Sequence, residues 1–274
     1  MDGWLGRLCR VADEELLAGG LVNAGQVTRR ADAVRRPAPA HAAVLHQYLN
    51  RLAAQGFTGA PTPLRLSPDG YEELTFIPGD VAISPYPDWA LTEGALASVG
   101  RLLRRMHDTA STIAVPEADW PPQFADIEGA GPILCHNDVC PENTVFRDGE
   151  AVAFIDFDFA APGRPIWDLA YCAWYWVPML PPRLAAVEGQ PGLDAVARLR
   201  VLADAYGLDD DERRELLALI PVVLETSHWF VAARVAAGDP VFTRIDAERD
   251  PGRWDACQMW LDEYREEFLR ALLA

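Results

Sequence analysis

Two short polar segments carry residue types that could act on a phosphate group. Residues 136–143 are HNDVCPEN, and residues 155–158 are IDFD. If the stretch between them folds as a hairpin, Asn143 lies near Asp156, and Asp138 lies on the loop just before. Mg²⁺ in proteins prefers hard oxygen ligands, and a neighbouring carboxylate can orient a hydroxyl group. The three side chains therefore predict a site for Mg²⁺ and a phosphate.

Apolar runs beside these segments predict the elements that hold them. Ile133–Cys135 is predicted to be a short strand that leads into the first segment. Thr144–Phe146 and Ala151–Ile155 are predicted to pair as antiparallel strands. Between them, Arg147–Glu150 contains an Asp-Gly pair, which favours a tight hairpin turn.

The composition is typical of a globular protein with a large core. The chain has 274 residues, of which 50% are hydrophobic and 24% are charged, so one large domain or two small ones are expected. We see no apolar run long enough to cross a membrane and no N-terminus of the secretory kind. The sequence therefore predicts a cytoplasmic protein with no membrane partner.

Charge and cysteine content narrow the class of partner and of site. The formal net charge is −17, which disfavours nucleic acid as a partner and is compatible with a cationic small molecule. All 24 basic residues are arginine, so any role usually taken by lysine falls to arginine. The five cysteines form no CxxC pair, which argues against a disulfide framework. The spacing of Cys135, His136 and Cys140 matches no zinc pattern.

Residues 1–78 are predicted to form a small β-rich unit. Extended runs on both sides of residues 19–25 predict two strands joined by a glycine-bearing turn, and a third strand ends at Pro37. Backbone amides beside glycine can approach a phosphate closely, which makes Gly20 and Asn23 candidates for phosphate binding. A plain hairpin turn explains the glycines about as well, and the GK[ST] ending of a P-loop is absent.

The remaining elements divide the chain into a β-rich part and a helical part. Apolar periodicity predicts a helix over 39–55, and a strong turn separates strands at 64–66 and 72–77. Residues 79–274 are predicted to be mainly helical, and Pro221 should kink or split one of the helices. The predicted helices of this part cover residues 92–109, 167–176, 192–206, 210–237 and 253–273.

The spacing of the polar residues is similar to that of the protein kinases. There a catalytic aspartate precedes a metal-binding asparagine by five residues, and a later Asp-Phe-Gly supplies the second metal ligand. Here Asp138 and Asn143 are five apart, and Asp156-Phe157-Asp158 takes the later place. HNDVCPEN and IDFD resemble the H-x-D-x-x-x-x-N and I-D-[FW]-[DEG] patterns of the aminoglycoside phosphotransferase family. The VRRP segment and the catalytic run are also similar to the trifolitoxin immunity proteins within that family.

The resemblance covers nearly the whole chain and implies an α+β fold with two lobes, as in the protein kinases. A small β-rich lobe, residues 1–78, would bind the nucleotide. A larger and mainly helical lobe, residues 79–274, would carry catalysis and bind the acceptor. The resemblance also implies ATP or GTP as phosphate donor and Mg²⁺ as cofactor, and it leaves the oligomeric state open.

The matched residues receive roles from the same resemblance. Asp138 would be the catalytic base that accepts the proton of the substrate hydroxyl. Asn143 and Asp156 would hold Mg²⁺ on the nucleotide phosphates, and Asp158 would be a further metal contact or a neighbouring support. His136 would be a scaffold residue of the loop.

In the small lobe, the resemblance implies that residues 72–77 form the hinge, where the backbone of Thr75 and Ile77 meets the purine. The family's lysine on the third strand is missing. Its place, two residues before the proline that ends the strand, favours Arg35 as the phosphate contact over Arg36, since neighbouring strand residues face opposite ways. The helix that should supply a glutamate partner for the lysine contains no glutamate.

Other residues of the large lobe are expected mainly in structural or surface roles. Asp168 is the one charge in an aromatic helix and is expected to brace the catalytic loop by hydrogen bonds, because its unpaired burial would be costly. Most tryptophans of this lobe are expected in the core, with one or two left to line a substrate pocket. The resemblance places Glu225 and His228 in the region where the family binds acceptors, but ordinary surface positions are the favoured explanation for both.

The favoured function is that of a Mg²⁺-dependent phosphotransferase. It would move the γ-phosphate of ATP or GTP to a hydroxyl of a small molecule, such as an antibiotic or a related natural product, in resistance or self-protection. Two alternatives stay open. The missing lysine and glutamate favour a catalytically reduced immunity or binding protein. No motif distinguishes the favoured function from that of a housekeeping kinase for choline, homoserine or a sugar.

Overall fold

The computed structural model describes residues 14–17, 25–129 and 131–274. Five strands of its N-terminal part form one antiparallel sheet. They are β1 (Glu15–Leu16), β2 (Thr28–Arg30), β3 (Ala33–Pro37), β4 (Pro63–Leu66) and β5 (Tyr71–Thr75), in the spatial order β1-β2-β3-β5-β4. The helix α1 (Ala42–Ala54) lies between β3 and β4 in the chain, and its apolar side is buried.

Four short strands frame the two polar segments. They are β6 (Ile133–Cys135), β7 (Thr144–Arg147), β8 (Glu150–Phe154) and β9 (Ala161–Gly163). β6 pairs with β9, and β7 pairs with β8, both antiparallel. The predicted hairpin turn is present, and both of its central residues have positive φ, 53° at Asp148 and 81° at Gly149. This is the mirror-image turn that an Asp-Gly pair favours.

Seven helices build the rest of the described C-terminal part. They are α2 (Glu93–Ala110), α3 (Pro165–Trp176), α4 (Pro182–Val187), α5 (Ala195–Tyr206), α6 (Asp210–Ala236), α7 (Pro240–Glu248) and α8 (Arg253–Leu272). Thr92 caps α2 as predicted, because its hydroxyl accepts a hydrogen bond from the amide of Ala95 at 3.1 Å. α2 packs against α5, and α6 packs against both α3 and α8.

One continuous apolar core joins α1 to the helices of the C-terminal part. Its largest fully buried side chains include Trp167, Tyr171 and Trp176 of α3, in line with the expected burial of the tryptophans. Not all tryptophans are buried, since Trp229 of α6 is 66% exposed. The α+β architecture with a small sheet and a larger helical part agrees with the predicted fold class.

The connection between the two parts is held against the β7–β8 hairpin. Asp80 exchanges two backbone hydrogen bonds with Phe146, at 2.7 and 2.9 Å, and Arg147 donates a hydrogen bond to the carbonyl of Pro78. A Cβ atom at Gly79 would lie 2.4 Å from the Phe146 carbonyl oxygen. The close approach therefore requires glycine at this position.

Several predictions about the helices need correction. Pro221 does not split its helix, because α6 runs unbroken through it, and the Pro221 carbonyl accepts a hydrogen bond from Gln258 of α8 at 2.9 Å. The short helices α4 and α7 were not predicted. By length and composition α6 could also cross a membrane, contrary to the sequence-based expectation, although a buried core helix meets the same criterion. The cytoplasmic location stays a prediction.

Candidate active site

The two polar segments leave neighbouring strand pairs and meet at the cleft between the lobes. The first segment joins β6 to β7, and the second joins β8 to β9. The two segments are tied directly, because the amide of Ile155 donates a hydrogen bond to the carbonyl of Asn143 at 2.9 Å. The predicted convergence of Asn143 and Asp156 thus follows from the pairing of the strands.

Asp138 and Asn143 form one hydrogen-bonded unit. The amide Nδ2 of Asn143 donates to the Asp138 carboxylate Oδ2 at 2.7 Å and to the Asp138 carbonyl at 3.0 Å. These bonds fix the orientation of both side chains. They also commit the nitrogen end of the Asn143 amide, which leaves its oxygen, Oδ1, for another partner.

Two residues of the segments have left-handed backbone conformations. Asn137 has φ of 63° and Asp156 has φ of 65°, which is uncommon for residues other than glycine. The side chain of Asn137 donates to the carbonyl of Phe159 at 3.0 Å and so helps to hold the two segments together. Such conformations persist only where the surroundings hold them, and they are frequent at functional sites.

The fully buried Asp168 braces the first polar segment, as predicted. Its carboxylate accepts hydrogen bonds from the backbone amides of His136 at 2.7 Å and Asn137 at 2.8 Å, and His107 Nε2 lies 3.1 Å from it. Burial alone would raise the pKa of Asp168, but the hydrogen bond and charge of His107 and the neighbouring His136 bring that pKa below its ordinary value. The carboxylate therefore stays ionised and keeps both amides paired.

His136 has the scaffold position that the resemblance implies. Its Nε2 atom lies 3.0 Å from the carbonyl of Ile155, and its Nδ1 atom accepts the amide N–H of Asp138 at 3.2 Å. The ring is fully buried, and this burial lowers the pKa of His136 below its ordinary value. A neutral imidazole can accept at one nitrogen and donate at the other, which matches these two contacts.

Arg36 enters the cleft and joins the two aspartates of the second segment. Its guanidinium contacts Glu72 at 2.7 Å, Asp156 at 2.6 Å and Asp158 at 2.5 Å. Burial alone would lower the pKa of Arg36, but the charges of the three carboxylates raise it above its ordinary value. The one arginine therefore offsets part of the negative charge that the two segments collect.

The prediction that Arg35, and not Arg36, faces the phosphate site is wrong. Arg35 lies on the opposite face of β3, where it pairs with Asp69 at 2.8 Å and lies over the ring of Tyr71. Neighbouring strand residues do face opposite ways, as expected, but the register of the sheet turns Arg36 toward the cleft. Of the two arginines, Arg36 is the one that occupies the site.

A glutamate partner for this arginine is present, but it comes from a strand and not from the helix. Glu72 of β5 lies opposite Arg36 of β3 in the sheet and is 1% exposed. The helix α1 contributes His46, whose Nε2 atom lies 2.6 Å from the second oxygen of Glu72. The sequence analysis expected the glutamate on the helix and therefore missed Glu72, which is paired with Arg36 across β3 and β5.

The carboxylates of the cleft influence one another. Desolvation at the bottom of the cleft and the charge of Asp156 raise the pKa of Asp138 to about 7, although hydrogen bonds from Tyr175 and Asn143 oppose the shift. Desolvation and the same neighbour raise the pKa of Asp158 to about 7, and Arg36 opposes this. The negative charge of Asp156 therefore disfavours ionisation of both neighbouring carboxyl groups.

The donor set of the cleft fits a hard divalent cation. The Asn143 amide oxygen and the carboxylates of Asp156 and Asp158 are all oxygen donors, the type that Mg²⁺ prefers. The two aspartate side chains are 32% and 26% exposed, so an ion entering from the cleft can reach them. Within the described ranges, no three His, Cys, Asp or Glu side chains form a ready-made metal cluster.

Of the other four predicted nucleotide contacts in the small lobe, the structure describes two. Gly20 and Asn23 lie outside the described residues. Thr75 ends β5, and both its amide and its hydroxyl are already bonded to Thr62, at 2.9 and 2.8 Å. Ile77 lies just beyond the strand and is half-buried, and its backbone amide has no partner within the described part of the chain. The roles of all four remain predictions.

A two-lobed α+β fold, with an Asp–Asn pair and an aspartate meeting at the cleft, defines a phosphotransferase of the kinase-like class. Comparison with known proteins identifies the family. The phosphotransferase enzyme family, APH, matches residues 113–202, which include both polar segments. The trifolitoxin immunity protein of Rhizobium leguminosarum bv. trifolii is 33% identical over 206 residues, covering 73% of this chain and 77% of that protein. The chain belongs to the APH phosphotransferase family, whose general activity is phosphoryl transfer to small molecules.

Solved structures agree on the fold. A choline/ethanolamine kinase family protein from Mesorhizobium loti has a TM-score of 0.63 at 20% identity, covering 97% of this chain and 94% of that one. The complex of gentamicin with APH(2")-IIa has a TM-score of 0.54 at 14% identity, covering 95% and 93%. These similarities confirm the predicted kinase-like fold over nearly the whole chain.

Proposed function

We propose that this protein transfers the γ-phosphoryl group of ATP or GTP to a hydroxyl group of a small molecule, with Mg²⁺ as the metal. The observation that carries the proposal is the hydrogen-bonded pair of Asp138 and Asn143, held beside Asp156 in the cleft between the lobes. Phosphoryl transfer depends mainly on positioning and on neutralising charge, and these residues supply both.

In this proposal Asp138 is the catalytic base. Its half-buried carboxylate accepts the Asn143 amide at Oδ2 and keeps further acceptor positions for the hydrogen bond of an incoming hydroxyl. Holding the hydroxyl in line with the phosphate is the main contribution, and proton acceptance follows as the new bond forms.

The metal would be held by the Asn143 amide oxygen and by the carboxylates of Asp156 and Asp158. Bound there, Mg²⁺ would neutralise charge on the phosphates during transfer. Arg36 would keep Asp156 and Asp158 in place and offset part of the negative charge that the nucleotide phosphates would otherwise meet. The backbone amide of Ile77, which has no partner among the described residues, supports a purine contact at the connection between the lobes.

The acceptor is proposed to be an antibiotic or a related natural product, with a role in resistance or self-protection. The support is that a relative 33% identical to this chain is an immunity protein by name. The same relative supports a second candidate function, an immunity protein that binds its target without turnover. The observation that favours the second candidate is that Arg36 already occupies one oxygen of each aspartate in the cleft.

Nucleotide binding with and without Mg²⁺ distinguishes these candidates. Titration calorimetry should detect ATP or GTP binding that strengthens about tenfold or more when Mg²⁺ is added, because Asn143, Asp156 and Asp158 would hold the ion and its charge would attract the phosphates. The Asp156→Ala variant should lose this strengthening, whereas Asp119→Ala, an exposed position outside the cleft, should keep it. If neither nucleotide bound at millimolar concentration, the second candidate, an immunity protein without turnover, would be the better supported function.

A further inference from the structure

Arg36 is the one side-chain cation that pairs with the two aspartates of the second segment in the described part of the chain. Its Nη1 atom donates to Oδ1 of Asp156 at 2.6 Å, and its Nη2 atom donates to Oδ1 of Asp158 at 2.5 Å. Both hydrogen bonds join charged partners, which makes them stronger than neutral ones. A cation of the chain itself therefore occupies one oxygen of each carboxylate.

The second oxygen of each carboxylate, Oδ2, forms no hydrogen bond or ion pair among the described residues. The side chains of Asp156 and Asp158 are partly exposed, whereas that of Arg36 is 8% exposed. A ligand that enters the cleft therefore reaches the carboxylates far more readily than the guanidinium. Arg36 acts on such a ligand through the two aspartates.

Glu72 fixes Arg36 in this position. The Nε atom of Arg36 donates to one oxygen of Glu72 at 2.7 Å, and the other oxygen of Glu72 lies 2.6 Å from Nε2 of His46. Glu72 is 1% exposed, so loss of the arginine would leave a buried charge without its main partner. An ion that enters the cleft therefore cannot push the guanidinium aside at low cost.

A guanidinium fixed beside two carboxylates weakens their attraction for a second cation. Like charges a few ångström apart repel each other, and in a partly buried site this repulsion is only partly screened. A divalent ion held by Asp156 and Asp158 would lie near the charge of Arg36, and the Asn143 amide adds no charge to offset it. A free ion therefore gains less from this donor set than from the same ligands without an arginine.

The phosphates of a nucleotide reverse this balance. They carry several negative charges and supply oxygen ligands of their own. Mg²⁺ is commonly held by one or two carboxylates together with substrate phosphates, since it gives up its water ligands reluctantly. An ion that arrives with phosphates thus depends less on the charge of Asp156 and Asp158 than a free ion does.

We propose that Arg36 makes the site selective for the metal–nucleotide complex and excludes the free divalent ion. Asp156 and Asp158 hold the metal only when phosphates supply further ligands and the charge that Arg36 offsets. The selectivity rests on the proposed function, because a nucleotide is the source of the phosphates. Exclusion of the free ion concerns this chain alone, so it is measured without nucleotide.

Binding of free Mn²⁺ to the whole protein tests the proposal. Mn²⁺ prefers the same oxygen ligands as Mg²⁺, and the electron paramagnetic resonance signal of the unbound ion measures its binding. At about 0.15 M salt, which screens the acidic surface, Arg36→Met should bind Mn²⁺ about tenfold or more tighter than the unchanged protein. Arg35→Met, on the opposite face of β3, should bind it as the unchanged protein does.

Two further variants assign the gained binding to this site and to the charge of Arg36. Adding Asp156→Ala to Arg36→Met should abolish the gained binding, because the ion then loses a carboxylate ligand. Arg36→Lys keeps a positive charge and should bind Mn²⁺ more weakly than Arg36→Met does. A purely structural role of the arginine would not order the affinities by charge.

A double variant covers the case in which Arg36→Met does not fold. Arg36→Met combined with Glu72→Gln removes the buried carboxylate that the single variant leaves without its partner. It should bind Mn²⁺ about tenfold or more tighter than Glu72→Gln alone, which is its control. Equal or weaker binding after loss of Arg36, or a gain that survives Asp156→Ala, would overturn the proposal. Neither result needs phosphoryl transfer, so both would leave the proposed function standing.

Discussion

Arg36 is the residue on which the charge balance of the cleft depends. Its guanidinium reaches Glu72, Asp156 and Asp158 at once, and Glu72 is almost fully buried. Breaking a buried ion pair by removing one partner is strongly destabilising, because the other charge stays buried without compensation. The position of Arg36 also explains how a chain without lysine keeps a cation at this point of the small lobe.

The Arg36→Met variant is therefore expected to lower the free energy of unfolding by about 3 kcal/mol, measured by urea denaturation near neutral pH. The neighbouring Arg35→Met variant is the matched control, because Arg35 forms an exposed ion pair with Asp69, and exposed pairs contribute about 1 kcal/mol or less. Equal stability of the two variants would contradict the role assigned to Arg36.

The individual site residues were predictable from the sequence to different degrees. Asp138, Asn143 and Asp156 could be found because their spacing is fixed by a short loop and one hairpin, both marked by local signals. The choice of Arg35 over Arg36 was wrong, since it depends on which face of β3 the sheet turns toward the cleft. Glu72 was missed for the same reason, because its partner is 36 residues away in the chain.

At the scale of elements, α3 holds the first polar segment, residues 136–143. Asp168 in its first turn accepts the amides of His136 and Asn137, and Asn137 has a left-handed backbone that needs such support. A carboxylate with a lower pKa in the folded chain than in the unfolded chain stabilises the fold fully above the unfolded value. That stabilisation is lost as the pH falls from the unfolded value through the folded one.

The Asp168→Asn variant should accordingly be less stable by about 2–3 kcal/mol at neutral pH, because an amide cannot accept both backbone N–H groups as a carboxylate does. The difference from the unchanged protein should be constant above about pH 5. It should shrink as the pH falls below 3.8, the ordinary value for this carboxyl, because the pKa of Asp168 is lowered. Urea denaturation at a series of pH values measures this, with the exposed Asp119→Asn as control. A difference in the free energy of unfolding that grows as the pH falls would contradict the role assigned to Asp168.

The elements themselves were mostly predictable where their signals are local. The strand Ile133–Cys135, the Asp-Gly turn and the cap at Thr92 agree with the sequence-based predictions. The helices α4 and α7 were missed because each begins with a proline, at Pro182 and Pro240. Proline is tolerated in the first turn of a helix, so it marks a start as well as a break.

At the scale of the whole molecule, the two lobes share one apolar core and meet at the cleft that holds Arg36 and the two aspartates. Gly79 allows the connection to lie against Phe146, and the sheet then brings Arg36 over the two aspartates of the large lobe. The site is thus built from both lobes, and no single segment contains it. The lobe boundary at residue 78 and the choice between ATP and GTP stay predictions, since neither follows from the residues that form the cleft.

The rate of radiolabelled γ-phosphate transfer tests the central claim most directly. The intact protein should transfer phosphate from ATP or GTP to a hydroxyl-bearing antibiotic or metabolite in a screen with Mg²⁺. Asp138→Ala should reduce that rate by about a hundredfold or more while nucleotide binding persists, and Asp148→Asn, on the exposed hairpin turn, should not. An Asp138→Ala variant that transfers phosphate at the unchanged rate would contradict the account.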